Sequence, residues 1–189
     1  MDGTPILPRA FFDRDPVVVA KELLGKYIVR NLDGKRLVGK ITETEAYLPS
    51  GDSAAHNFKG KTKRNESLYK EAGHAYVHSM RQYCLIDVVT EGSDKPGSVL
   101  IRAFEPVEGL KEMIKLRQEE DVEKLSNGPG KVCIALGITR SLDGIDMTSS
   151  ENDLFLTENP DLPLREIAAS SRIGISTAKE MQLRFNLNS

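Results

Sequence analysis

Short apolar-rich runs bounded by turn formers recur along this chain, and each predicts a strand, one of them with period-two alternation of faces. Residues 27–30, 37–47, 75–78, 83–90, 98–105, 154–156 and 183–187 read this way. Asp33-Gly34 is a hairpin signal between the first two. Residues 79–82 interrupt one strand pair. Turn formers at 91–97 set the strand at 98–105 antiparallel to 83–90. Helical spacing covers less of the chain. Asp15-Pro16 opens a helix that Gly25 ends. Residues 106–117 place Leu110, Met113, Ile114 and Arg117 at i, i+3, i+4, i+7. Asn127-Gly-Pro-Gly-Lys131 opens a helix through Leu136, capped by Gly137. Shorter helical turns are expected at 53–56 and 65–71, and a tight apolar turn or strand at 171–175 around a buried Arg172.

The strand at 37–47 is chemically odd. Strict alternation puts Ile41, Glu43, Glu45 and Tyr47 on one face and Lys40, Thr42, Thr44 and Ala46 on the other. Glutamate is depleted in strands. One reading is an edge strand with solvated glutamates. The other is a pocket where Glu45 handles a proton and Tyr47 stacks on a flat ligand, with His56 returning from a short loop as a second wall. Asp87 and Arg102 interrupt otherwise apolar strands. They either point to solvent at an edge or need partners, because an unpaired buried charge is expensive. The run from Lys59 to Arg64 carries four cations in six residues. It is a solvated loop or a phosphate-contacting one; its spacing is not that of a Walker loop. The glycine-flanked helix start at Lys131 can hold an anion.

A chain of 189 residues with 39% apolar content suits one domain over 1–189 with a sizeable core. No run approaches ~18 apolar residues, so no membrane span is expected. The first residues lack signal-peptide features. Cys84 and Cys133 are isolated in apolar surroundings and read as core residues of a protein in a reducing, cytoplasmic setting. Neither Cys-x-x-Cys nor His-Glu-x-x-His occurs, so no metal and no cofactor is expected. The net charge of −2 argues mildly against a nucleic-acid partner, but its distribution argues back. Residues 21–64 hold 10 Lys/Arg against 5 Asp/Glu, and residues 65–189 hold 14 against 20. Local charge decides phosphate contacts, because screening limits reach to about 10 Å.

Several motifs occur together. They are Glu43-Thr-Glu-Ala-Tyr47 with Ala54-Ala-His56, Thr62-Lys-Arg-Asn65, Leu100-Ile-Arg-Ala-Phe-Glu-Pro106, Gly109-Leu110, Asn127-Gly-Pro-Gly-Lys131 with Ala135-Leu-Gly137, Arg172-Ile-Gly-Ile175 and Arg184-Phe185. In this order and spacing the set resembles the alkyladenine (3-methyladenine) DNA glycosylases, from about Pro8 to Leu187. The resemblance implies an α+β domain on a curved antiparallel sheet with surrounding helices. It implies excision of alkylated or deaminated purines (3-methyladenine, 7-methylguanine, hypoxanthine) flipped out of double-stranded DNA. Carried over by position, Glu45 activates a water, beside Arg102 and the carbonyl of Leu187. Tyr47, His56 and His78 are flat walls of the base pocket, with Asp87 at its floor. Arg81 fills the gap in the duplex. Lys61, Thr62, Arg64, Gly130 and Lys131 contact the DNA backbone. No nucleophilic amine occupies the site, so the expected enzyme is monofunctional and leaves an abasic site. A monomer without an obligate protein partner is expected.

Three positions depart from the family pattern. His78 stands where a tyrosine is usual, and a protonated His78 would repel a cationic lesion, so excision of methylated purines is expected to fall below about pH 6. Arg81 replaces a bulky aromatic. Asp87 replaces an asparagine that helps exclude guanine; an acceptor-only carboxylate would relax that exclusion. The chain also stops at Ser189, which leaves Leu187 little anchoring. Two other classes share these residues. A nucleoside hydrolase or glycosidase would use Glu43 and Glu45 as a carboxylate pair. A non-enzymatic module would bind kinked DNA through Arg81.

Overall fold

The longest strand carries thirteen residues, and every neighbour in the sheet can be placed from it. In chain order the strands are β1 (Tyr27–Leu32), β2 (Lys35–Tyr47), β3 (Ala75–Met80), β4 (Tyr83–Thr90), β5 (Gly97–Glu108), β6 (Leu154–Thr157), β7 (Ile167–Ser170) and β8 (Arg184–Leu187). The helices are α1 (Arg9–Phe12), α2 (Pro16–Leu23), α3 (Leu110–Arg117) and α4 (Pro129–Ala135). This computed structural model describes residues 4–161 and 166–187. The chain end at Ser189 lies outside them.

All pairings are antiparallel, in the order β3-β4-β5-β2-β1-β6. β2 is long enough to hold two partners on one side: Lys35 to Lys40 pair with β1, and Glu43 to Glu45 pair with β8, which in turn pairs with β7. Two neighbouring register shifts against β5 surround Glu43. An extra residue in one strand reverses the alternation beyond it. This overturns the expectation that Ile41 shares a face with Glu43, Glu45 and Tyr47. Ile41 lies in the main core with Ala46, and Thr44 donates to the carbonyl of Ala20 in α2 at 2.8 Å.

The sheet therefore has two distinct faces. Ala75, Val77, Ile86, Val88, Val99 and Ile101 face the main core, which also holds Leu23, Met113, Val132 and Leu136 from the helices. The intervening residues Tyr76, His78, Leu85, Asp87, Ser98, Leu100 and Arg102 line an open cleft. Gly39 is tied to packing: a Cβ there would lie 2.3 Å from the Phe104 ring.

Several elements differ from the sequence expectation. Residues 106–108 continue β5 instead of starting a helix, because β2 offers partners to Pro106 and Glu108. Gly109, at φ +80°, then turns the chain into α3. β3 continues through Ser79 and Met80, leaving only Arg81-Gln82 as the turn. The turn at 53–56 is not helical, the one at 65–71 shortens to a 3₁₀ turn over Glu66–Tyr69, and β7 was not expected at all. The Asp15 cap accepts from Val17 N and Val18 N as its position predicts, and Gly25 has φ +84°.

Candidate active site

The cleft encloses about 470 Å³, and Tyr47, His56, His78, Asp87 and Arg102 all line it. Glu45 lies behind this lining, with its side chain fully covered. Its Oε2 accepts from the Tyr47 hydroxyl at 2.9 Å. Its Oε1 accepts from the backbone N–H of Ile173 at 2.8 Å and faces Arg102 Nη1 at 3.2 Å. A carboxylate has about four acceptor directions, so these two hydrogen bonds, with Arg102 as an ion-pair contact, leave capacity for a further O–H. Burial raises the Glu45 pKa above the ordinary carboxylate value, and Arg102, the Ile173 amide and Tyr47 only partly offset it.

Glu43 was given no essential part in glycosylase chemistry from the sequence, yet it organises this corner. Its Oε1 accepts from Arg102 Nε and from Arg184 Nε, both at 2.6 Å. Although burial opposes it, these two arginines lower the Glu43 pKa. A carboxylate held ionised by two guanidiniums is poorly suited to donate a proton, which counts against a Glu43/Glu45 glycosidase pair. Its signal in the sequence was the two-residue spacing from Glu45.

Leu187, whose carbonyl was expected beside the activated water, lies at the end of β8. Arg184 is the β8 residue opposite Glu45, and Leu187 pairs with Ile167 three positions further along. That is roughly 10 Å at the rise of a strand. Leu187 takes no part in the cleft lining. The Ile173 N–H lies beside the carboxylate.

The aromatic walls form one cluster. His78 stacks on Tyr76, with centroids 4.9 Å apart and planes at 23°. His56 meets His78 edge-on at 4.5 Å, and its Nδ1 lies 2.9 Å from the Tyr76 hydroxyl oxygen. Burial, His78 and Arg64 lower the His56 pKa, against an opposing pull from Asp87. Tyr76 escaped the sequence reading, although it lies two residues before His78 on the same strand face. Asp87 is buried and paired as its charge requires: Oδ2 lies 3.0 Å from His78 Nε2, and Oδ1 accepts from Ser98 Oγ at 3.0 Å.

Tyr47 is held from behind. The Arg172 guanidinium carbon lies 4.6 Å from the Tyr47 ring centroid. Arg172 grips Asp52 through two bonds of 2.6 and 2.7 Å, with both side chains fully covered. Asp52 also accepts from Leu48 N and Ala54 N, which fixes the turn leading to His56.

The basic loop and the β3–β4 hairpin flank the mouth. Asn65 accepts from Thr62 N and Thr62 Oγ1 and donates to the carbonyls of His56 and Gly60. Arg64 donates to the Ser79 carbonyl, and Lys61 Nζ lies 5.4 Å from the Tyr69 ring centroid. Arg81, at φ +55°, forms the hairpin tip between exposed Met80 and Tyr83. Gly130 packs against Tyr83, where a Cβ would come within 3.1 Å, and Lys131 donates to Asn127. Among the described residues no cluster of His, Cys, Asp and Glu could hold a metal, and no helix is long and apolar enough to cross a membrane.

Comparison with known proteins gives one consistent result. Residues 10–189 match the family model described as methylpurine-DNA glycosylase (MPG). A Clostridium perfringens (strain 13) protein named "Putative 3-methyladenine DNA glycosylase" is 45% identical over 186 residues, covering 92% of this chain and 90% of its own. Proteins of the same name from Methanocella arvoryzae and Carboxydothermus hydrogenoformans are 42% and 41% identical. They cover 95% and 96% of this chain, and 90% and 95% of their own.

Proposed function

The chain belongs to the methylpurine-DNA glycosylase family, and from that premise we propose that it excises alkylated or deaminated purines from duplex DNA and leaves an abasic site. The observation that carries this reading is a covered carboxylate, Glu45, fixed by two hydrogen bonds and the adjacent Arg102 behind an aromatic-walled cleft. A purine stacked in a duplex is out of reach, so it must be flipped out at a cost of a few kcal/mol. Stacking recovers about 1–3 kcal/mol per base, and Tyr47, His56 and His78 supply the walls. Electron-rich rings also favour the cationic lesions, 3-methyladenine and 7-methylguanine.

Glu45 uses a remaining acceptor direction to take a proton from water as the water oxygen bonds to the sugar C1′. The C1′–N9 bond breaks and its electron pair leaves with the base. The raised pKa of Glu45 makes it a stronger base than an ordinary carboxylate. Arg102, positioned by Glu43, offers positive charge beside that water. Arg81 fills the space vacated in the duplex, with Met80 and Tyr83 beside it. Lys61, Thr62, Arg64, Gly130 and Lys131 hold the phosphates and fix register without reading sequence. No lysine or terminal amine attacks C1′ in this scheme, so the strand stays intact.

The test is release of hypoxanthine and 3-methyladenine from duplex DNA by wild type and by Glu45→Gln. Wild type is expected to give alkali-labile abasic sites and Glu45→Gln none. Strand cleavage without added base would exclude the monofunctional scheme. Lesion binding by both without base release would make the chain a binder on a glycosylase scaffold.

A further inference from the structure

Three consecutive residues of β2 are held by one residue and its successor. Arg172 Nη1 donates to the Ala46 carbonyl at 3.1 Å. The same guanidinium lies behind the Tyr47 ring, and the next backbone N–H, that of Ile173, donates to Glu45. Glu45, the stacking wall and the residue between them therefore share one support. Asp52 keeps the guanidinium in place by accepting from both Nη1 and Nη2.

Among the described residues little else fixes the Ile173 amide. The Ile173 side chain is 51% exposed, and Gly174 follows at φ +80° with no heavy atom within 4 Å of where a Cβ would stand. Residues 173–182 belong to no helix or strand, yet residues 173–177 line the cleft. At the far end, the Leu183 carbonyl accepts from Ala46 N at 2.8 Å. The loop is thus closed at its base on Ala46 from both sides, by Leu183 through the backbone and by Arg172 through its side chain.

On the glycosylase reading above, we infer that Arg172 is a positioning residue for the reaction: anchored on Asp52 and Ala46, it delivers the Ile173 N–H to Glu45. Arg172 takes no part in the cleft lining and acts only through its neighbours. The task needs an arginine. A planar fork can bond two carboxylate oxygens, reach a carbonyl and lie against a ring at once, whereas an ammonium is a point charge on a flexible stem. A hydrogen bond to the ionised carboxylate favours that form, so the Ile173 amide sets both where Glu45 points and how readily it is protonated.

The other charged and titratable neighbours of Glu45 are few. Glu43 and Tyr47 stand on its own strand and Arg102 on β5. Arg184 on β8 bonds Glu43, and Asp87 on β4 acts on Tyr47. None of these is altered by a substitution at Arg172 or Asp52.

The test is the pH dependence of single-turnover 3-methyladenine release from duplex DNA by wild type, Arg172→Lys and Asp52→Asn, each well below its own Tm. Arg172→Lys keeps the charge and loses the fork. Its rate on the pH plateau is expected to fall by about 10- to 10²-fold, and its acid limb to move to higher pH. Asp52→Asn separates position from field. Deleting a negative charge can, through its field alone, only ease ionisation of Glu45 and move the limb to lower pH. Releasing Arg172 withdraws the Ile173 amide and moves the limb to higher pH, which is the expected result. A limb that stays or moves lower in Asp52→Asn overturns the inference, whatever happens to Tm, and leaves Arg172 a support of the fold alone. Should Arg172→Lys fail to fold, Asp52→Asn, which keeps the shape and one acceptor oxygen, decides by itself. If wild type releases no base, the glycosylase reading itself fails, a different result from a limb that does not move.

Discussion

In the proposed scheme Glu45 acts as a base from a fully covered position, and its two hydrogen bonds and Arg102 set how well it can. Burial raises its pKa, so as pH falls Glu45 is protonated earlier than an ordinary carboxylate near 4.3 and can no longer take a proton. The acid limb of kcat for 3-methyladenine is therefore expected above that value; a limb at or below it would contradict the role given to burial. Tyr47→Phe keeps the stacking ring and deletes one donor to the carboxylate. Losing a bond that favours the ionised form should move the acid limb to still higher pH, with KM changed little. At Glu43 the sign is opposite, since two guanidiniums hold it ionised. Glu43→Gln should lower kcat by releasing Arg102, and Glu43→Asp should restore part of it if the role is positional.

Among the elements, β2 shows what a sequence pattern can and cannot carry. Apolar runs bounded by turn formers were enough to place β3, β4 and β5 and to mark Asp87 and Arg102 as residues needing partners. Strict period-two alternation failed at residues 41–43, because a bulge is a mismatch in the pairing of two strands and cannot be read from one of them. It failed at residues 106–108 for a similar reason: the partner strand, not local preference, extends β5 there. The cleft-lining residues were legible as motif, but the pairing of Asp87 with His78 was not, since it depends on two strands lying side by side. The register of β8 against β2 and β7 was not legible either, because it cannot be counted without knowing the partner strands. The turn after β2 relies on Arg172 and Asp52. Removing one member of a buried ion pair costs about 3–5 kcal/mol, which for a chain of this size lowers Tm by roughly 2–4 °C per kcal/mol. Arg172→Ala should therefore melt well below wild type, and an unchanged Tm would mean the pair is not a support. Asn65→Ala removes four bonds from the basic loop and should weaken DNA binding more than it lowers Tm.

Over the whole molecule, a protein of net charge −2 is proposed to hold a polyanion through one local group of cations. Affinity should fall with salt, and Lys61→Ala should reduce the slope of log K against log salt by about 1, uniformly across sequences. A slope unchanged by that substitution would remove Lys61 from the phosphate contacts. Asp52 and Glu43 have lowered pKa values. Their stabilisation is present above the unfolded carboxylate value near 4 and is lost as pH falls through their folded values. Glu45, with a raised value, works the other way and loses stability as pH rises. A steep fall in Tm is thus expected only below about pH 4. One further property follows from where Glu45 and Glu43 find their partners, in Ile173 and Arg184, 128 and 141 positions later. Such distant closures make for slow folding. On the ribosome, a nascent chain that has emerged only as far as residue 170 could bury its helices against the sheet while Glu45 still lacks the Ile173 donor and Glu43 still lacks Arg184. Catalytic competence would then arrive last in synthesis, after most of the hydrophobic core has formed.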